Sequence, residues 1–276
     1  MSTPAKRKRN ANPNGKQQPR KKIAVVIPAL NEAEHIAAVL DNLAHLFTVD
    51  YVIPVLNGCT DNTRQIVLEH PLVTSHAAQL ALIEYPLPLG IDAPRSWGAA
   101  CALQLGADAV LFVDGDTEGD YSHCLQELLC EVLYHDCDLA LTNCYPYIGY
   151  RSAMAKTVLQ YREKLNRTLK LFPIIGLATP SHGPHCVSRH LIESVGSDCF
   201  AIPPIMLAKA VQARLHIRVA SRLEQHQWSS AQRGDAHNEK IADTIIGDCI
   251  AALEYLDDLP VTRSDNGVIY LGYRTL

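Results

Sequence analysis

The sequence has no Cys-x-x-Cys pair, no internal repeat, and no apolar run near the ~20 residues that a bilayer span requires. Its nine cysteines, an odd number, fit neither a zinc-ligand pattern nor a disulfide framework. They read as thiols in a reducing compartment. The basic start leads into polar sequence instead of a signal-peptide apolar stretch, so a cytoplasmic protein without an integral membrane span is expected. Acid is missing from residues 1–22, which hold eight Lys or Arg and no apolar anchor. Such a segment cannot bury enough surface to order itself, so a disordered basic tail is expected there. Its clusters Lys6-Arg7-Lys8-Arg9 and Arg20-Lys21-Lys22 could attract anions, but a solubilising tail is the favoured reading and nucleic acid is not the expected partner.

What remains is acidic: outside the tail, 17 basic face 29 acidic residues. The 276 residues, 47% of them hydrophobic, suffice for one large domain with a full core, assigned to residues 23–276. From Ile23 the chain alternates apolar strands with amphipathic stretches. Ile23–Pro28 reads as a strand followed by a helix to about Leu46; Tyr51–Leu56 repeats the unit. Leu80–Glu84 gives a third strand, and a helix opening near Pro94 leads into a fourth that ends at Asp114. This alternation predicts an α/β fold, a mostly parallel sheet flanked by helices. Further on, Tyr121–Tyr134 and Ser152–Leu171 read as helices. Pro180–Cys186 reads as a loop, His216–Ser221 as a strand and Ile241–Leu256 as a last helix.

The chain is organised around Leu111-Phe112-Val113-Asp114-Gly115-Asp116, a buried strand running into two carboxylates. In open α/β sheets the carboxyl ends of the strands are where ligands bind. Two carboxylates so close repel each other unless a cation joins them, which points to a divalent metal with hard oxygen ligands. Alone, Asp-Gly-Asp would read as a polar turn; the upstream sequence reverses that reading.

Three stretches occur in a telling order: Val25-Val26-Ile27-Pro28-Ala29-Leu30-Asn31-Glu32, then Asn57-Gly58-Cys59-Thr60-Asp61-Asn62-Thr63, then Asp114-Gly115-Asp116. On these the chain resembles the nucleotide-sugar-dependent glycosyltransferases of the GT-A (Rossmann-like) fold, family 2 and its glucosyl-3-phosphoglycerate synthase relatives, over about residues 23–256. The resemblance implies a single-domain hexosyltransferase that moves a sugar from a nucleoside diphosphate to a soluble acceptor with Mg²⁺ or Mn²⁺. It makes Pro28, Ala29, Asn31, Glu32, Asn57, Asp61, Arg95 and Asp114 donor-binding candidates. Glu32 would meet the nucleoside, Asn57 the base, and Arg95 the diphosphate. Asn57 stands where the family has an acid, and an amide can both donate and accept toward a base.

The resemblance also implies a metal held by Asp116, with Asp114 on the ribose or metal waters and His237 completing the shell; His226 is the competitor for the last role. Toward the acceptor, inverting members carry an acidic pair where this chain reads Asp198-Cys199-Phe200-Ala201-Ile202-Pro203-Pro204. Asp198 is the remaining acid there. Retaining relatives place a glycine-containing acceptor loop at Pro180-Ser181-His182-Gly183, which makes His182 and His185 alternative proton acceptors. A homodimer is compatible with all of this. Two other functions stay open, a nucleotidyltransferase and a non-catalytic nucleotide-sugar binder on a degenerate fold. The first lacks the glycine-rich loop with a lysine that a triphosphate needs; the second fits the missing acidic pair.

Overall fold

A computed structural model describes residues 20–145, 152–223, 229–230 and 234–274. The strands among the described residues are β1 (Ile23–Ala29), β2 (Tyr51–Asn57), β3 (Gln79–Leu80), β4 (Ile83–Tyr85), β5 (Ala109–Phe112), β6 (Thr117–Glu118), β7 (Leu139–Asn143), β8 (His185–Ser188), β9 (Ile217–Arg222), β10 (Ser229–Ser230), β11 (Ser264–Asp265) and β12 (Val268–Ile269). The helices are α1 (Ile36–Ala44), α2 (Thr63–Glu69), α3 (Pro71–Thr74), α4 (Ala93–Gln104), α5 (Ser122–Tyr134), α6 (Ala153–Thr168), α7 (Phe172–Ile175), α8 (Arg189–Val195), α9 (Pro203–Gln212) and α10 (Asp235–Leu256), with a 3₁₀ turn at Ser197–Ala201.

One eight-stranded sheet runs β3-β2-β1-β5-β8-β7-β9, with β4 also on β2. β1, β2 and β5 are parallel, and β8 is antiparallel to both β5 and β7. Successive residues of β1 bury on opposite faces: Val25 and Ile27 pack with Leu40, Leu43, Leu125 and Leu128 of α1 and α5. Ala24 and Val26 pack on the other face with Ala99, Ala102, Leu207 and Cys249 of α4, α9 and α10. Burial on both faces is why these strands read as unbroken apolar runs. The mostly parallel sheet between helices is the expected α/β arrangement. None of the nine cysteines is paired, and no described helix is long and apolar enough to cross a membrane.

Four elements differ from expectation. The third strand is two short pieces, β3 and β4. The loop expected through Cys186 ends early, because His185–Ser188 enters the sheet between β5 and β7. The last helix starts at Asp235, six residues before Ile241, so His237 lies in its first turn. The ordered body also reaches behind residue 23: Lys22 N donates to Asp108 Oδ2 at 2.7 Å, Lys21 Nζ to Leu133 O at 2.5 Å, and Arg20 pairs with Asp50. Residues 1–19 lie outside the described residues.

Candidate active site

β1, β2 and β5 end at one edge of the sheet, which brings Pro28, Asn57 and the Asp114-Gly115-Asp116 turn together. Gly115 is pressed on β1: its N–H donates to Pro28 O at 3.0 Å. A Cβ there would sit 2.9 Å from that oxygen and 3.0 Å from Ala29 Cβ. Gly115→Ala should therefore cost about 1–3 kcal/mol by overpacking, read as a lower urea midpoint. An unchanged midpoint would show that the turn can lift off β1.

Above this edge lies a cavity of about 570 Å³, a size suited to a small-molecule ligand. Pro28, Ala29, Glu32, Asn57, Arg95, Asp114, Asp116, His182 and His237 all line it. Among the described residues no three His, Cys, Asp or Glu side chains form a ready metal cluster. Asn31, Asp61, His185 and Asp198 do not belong to the lining.

Several side chains have partners other than those expected. Arg95 is buried, and its two terminal nitrogens pair with Asp92 and Asp114, so it braces the acidic turn instead of presenting a free fork to a diphosphate. Burial opposes its charge, but Asp114 and Asp92, with Asp116 nearby, hold its pKa above the usual arginine value. Asp114 correspondingly meets a guanidinium through Oδ1. Asn57 Nδ2 donates to Gly90 O at 2.8 Å, and its Oδ1 accepts from Leu89 N at 2.8 Å. The amide expected to read a base thus clamps a loop of the cavity wall.

Asp61 ties two turns together, accepting from Thr63 N and Ala33 N, both at 3.0 Å. Desolvation pushes its pKa up, yet the Thr63 and Ala33 hydrogen bonds outweigh it and hold the carboxyl below its usual value. Asn31 has a left-handed φ of 57° and accepts from Thr60 N at 2.7 Å, so it shapes the loop beside the cavity. Asp61 and Asn31, expected among the donor-binding residues, bond the main chain of the neighbouring turns and do not line the cavity.

On the acceptor side, His185 is the first residue of β8, stacked on Phe112 with ring centroids 4.9 Å apart. Burial and the nearby Arg95 charge hold its pKa down at about 3, a neutral ring inside the sheet and no base for an acceptor hydroxyl. Asp198 is exposed on the 3₁₀ turn. The turn packs against α4, and Asp198 does not line the cavity. His182 lines the cavity and stacks on Tyr145, centroids 5.2 Å apart. His237 lines it from α10 and shares a 2.6 Å hydrogen bond, at Nδ1, with the Tyr273 hydroxyl. His226 lies outside the described residues.

Sequence reasoning missed a file of charges under the cavity. Arg263 meets Asp248 at 2.5 Å, Asp248 meets Arg274 at 2.9 Å, and Arg274 meets Asp92 at 3.1 Å, from which the file continues through Arg95 to Asp114. Burial pushes the Asp92 carboxyl up to about 6 against the pull of Arg95 and Arg274. Only the Asp92–Arg95 step, an i,i+3 pair at the start of α4, had a local signal.

The family model for glycosyl transferase family 2 matches residues 24–189, well over half of the chain. The chain belongs to glycosyl transferase family 2. Solved structures with this architecture include glucosyl-3-phosphoglycerate synthase from Mycobacterium tuberculosis with Mn²⁺, UDP and glucosyl-3-phosphoglycerate. It is 21% identical at a TM-score of 0.64, covering 90% of this chain and 82% of that one. The same enzyme with Mn²⁺, UDP-glucose and phosphoglyceric acid, and with Mg²⁺ and UDP, is 20% identical in each case, with the same TM-score of 0.64 and the same coverage of 90% and 82%. At that identity the likeness is one of fold. No curated protein sequence matches the chain.

Proposed function

We propose that this glycosyltransferase moves a sugar from a nucleoside diphosphate donor to a small anionic acceptor in the cytoplasm, with Mg²⁺ or Mn²⁺. The observation that carries the reading is that the Asp114-Gly115-Asp116 turn and His237 line one cavity of about 570 Å³ at the carboxyl ends of β1, β2 and β5. Asp116, Asp114 and His237 would hold the cation, a donor set that fits Mg²⁺ or Mn²⁺. Three such side chains do not by themselves form a closed cluster, which fits a shell completed by the diphosphate and water. When bound, the metal would offset the negative charge that grows on the departing diphosphate. Glu32 and the loop that Asn57 clamps would form the nucleoside wall.

The acceptor reading rests on a second cavity, also about 570 Å³, which shares His182, Asn238, Ile241 and Ile245 with the first. Arg162 lines it, 2% exposed, bonded to the Tyr145 hydroxyl and with no partner at Nε. Among the described residues no carboxylate pairs with this buried guanidinium, and a carboxylate or phosphate on the acceptor would compensate its charge. Phosphoglyceric acid in the similar structures supports that chemistry. His182, which lines both cavities, would take the acceptor's proton.

The test is a panel of nucleotide sugars with purified protein and Mn²⁺, with and without phosphoglyceric acid. Sugar transfer that stops in chelator is the expected result. Pyrophosphate exchange would favour a nucleotidyltransferase, and binding without turnover a degenerate enzyme.

A further inference from the structure

The segment that closes the charge file comes from far along the chain. Gly272 adopts a left-handed φ of 58°, and a Cβ there would lie 2.1 Å from Thr244 Oγ1, so residue 272 seats directly on α10. Tyr273 N then donates to that same Thr244 oxygen at 2.9 Å, which fixes where the next two side chains point. The Tyr273 hydroxyl meets His237 Nδ1 at 2.6 Å. Arg274 Nη2 reaches Asp92, Asp248 and, at 2.6 Å, the carbonyl of Ala201. One short segment therefore contacts both halves of the candidate donor site, His237 on α10 and the Asp92–Arg95–Asp114 file under the acidic turn.

The geometry points to Tyr273 and Arg274 as positioning residues of the donor site. Tyr273 sets the rotation of the His237 ring, and Arg274 holds Asp92 so that Arg95 presents Asp114 at the cavity edge. This rests on the donor-site reading given above. The physical reason is the alternation of charge: Asp92 is shared by Arg95 and Arg274, and without Arg274 it has one guanidinium where it now has two. Arg95 is then drawn more strongly to Asp92, and its grip on Asp114 relaxes. Tyr273 acts separately, because partners behind a metal-binding imidazole fix its orientation and are worth about 10–100-fold in metal affinity.

The experiment is calorimetric titration of UDP in Mn²⁺ and in chelator. It uses the parent, Tyr273→Phe and Arg274→Gln, and the unfolding midpoint of each unliganded protein is recorded. Tyr273→Phe removes one oxygen, and Arg274→Gln leaves Asp92 paired with Arg95 and Asp248 paired with Arg263, so neither buried carboxylate is stranded and both variants keep the fold. Each variant should lose about 10–100-fold in UDP affinity in Mn²⁺ and lose little in chelator, with a midpoint near that of the parent. A parent that binds and variants that bind equally well would overturn this inference alone. A parent without Mn²⁺-dependent UDP binding would overturn the donor-site reading and this inference with it. Equal losses with and without metal would also overturn it, since a general loosening of the cavity does not distinguish the two conditions.

Discussion

Asp116→Asn will weaken Mn²⁺-dependent donor binding by about a hundredfold or more and leave the unfolding midpoint nearly unchanged. The lower bound follows from outer-shell partners, which alone are worth about 10–100-fold, whereas in the proposed site an anionic oxygen would be lost from the shell itself. The fold should tolerate the change because Asp116 sits at the cavity edge, past the last residue of β5, with only intermediate burial. UDP titrations in Mn²⁺ and in chelator, on parent and variant, make the comparison. Equal affinities in Mn²⁺ would remove Asp116 from the site and with it the central assignment.

Arg95→Met will have the larger effect on stability, a loss of about 3–5 kcal/mol, because it strands one partner of a buried ion pair. Asp92 is buried and would keep only Arg274, while Asp114 would keep no guanidinium. For a chain of this length the melting temperature should fall by roughly ten degrees. Adding Asp92→Asn to Arg95→Met should recover part of the loss, since the stranded carboxylate becomes neutral. A loss below about 1 kcal/mol, the range of an exposed pair, would show that water reaches this file.

The strands that end at the cavity were legible because burial on both faces forces an unbroken apolar run, as in Ile23–Ile27 and Ala109–Val113. The acidic turn was legible because it interrupts such a run. β8 was not: it has four residues, starts with a histidine just after Pro184, and is recognisable as a strand only from its pairing with β5 and β7. The start of α10 was hidden for a related reason. Its first turns, Asp235 to Lys240, project toward the two cavities and the surface, so they lack the apolar stripe that marked Ile241 onward. The roles of Asn57 and Arg95 depended on partners the motif does not contain, the main chain of residues 89–90 for one and Asp92 for the other. Arg274 and Asp92 stand 182 positions apart, and no local pattern joins them.

The reversed direction of β8 has a consequence for how such an enzyme could change. β1, β2 and β5 deliver their loops to the cavity as they leave the sheet, whereas β8 delivers residues 179–184 as it enters, since His185 pairs with the last residue of β5. The two walls of the cavity are thus carried on segments of opposite polarity. Lengthening or exchanging the stretch ahead of His185 would remodel the wall proposed to meet the acceptor while every strand exit on the proposed donor wall keeps its register. A scaffold wired this way could exchange its acceptor without rebuilding the wall that holds the donor.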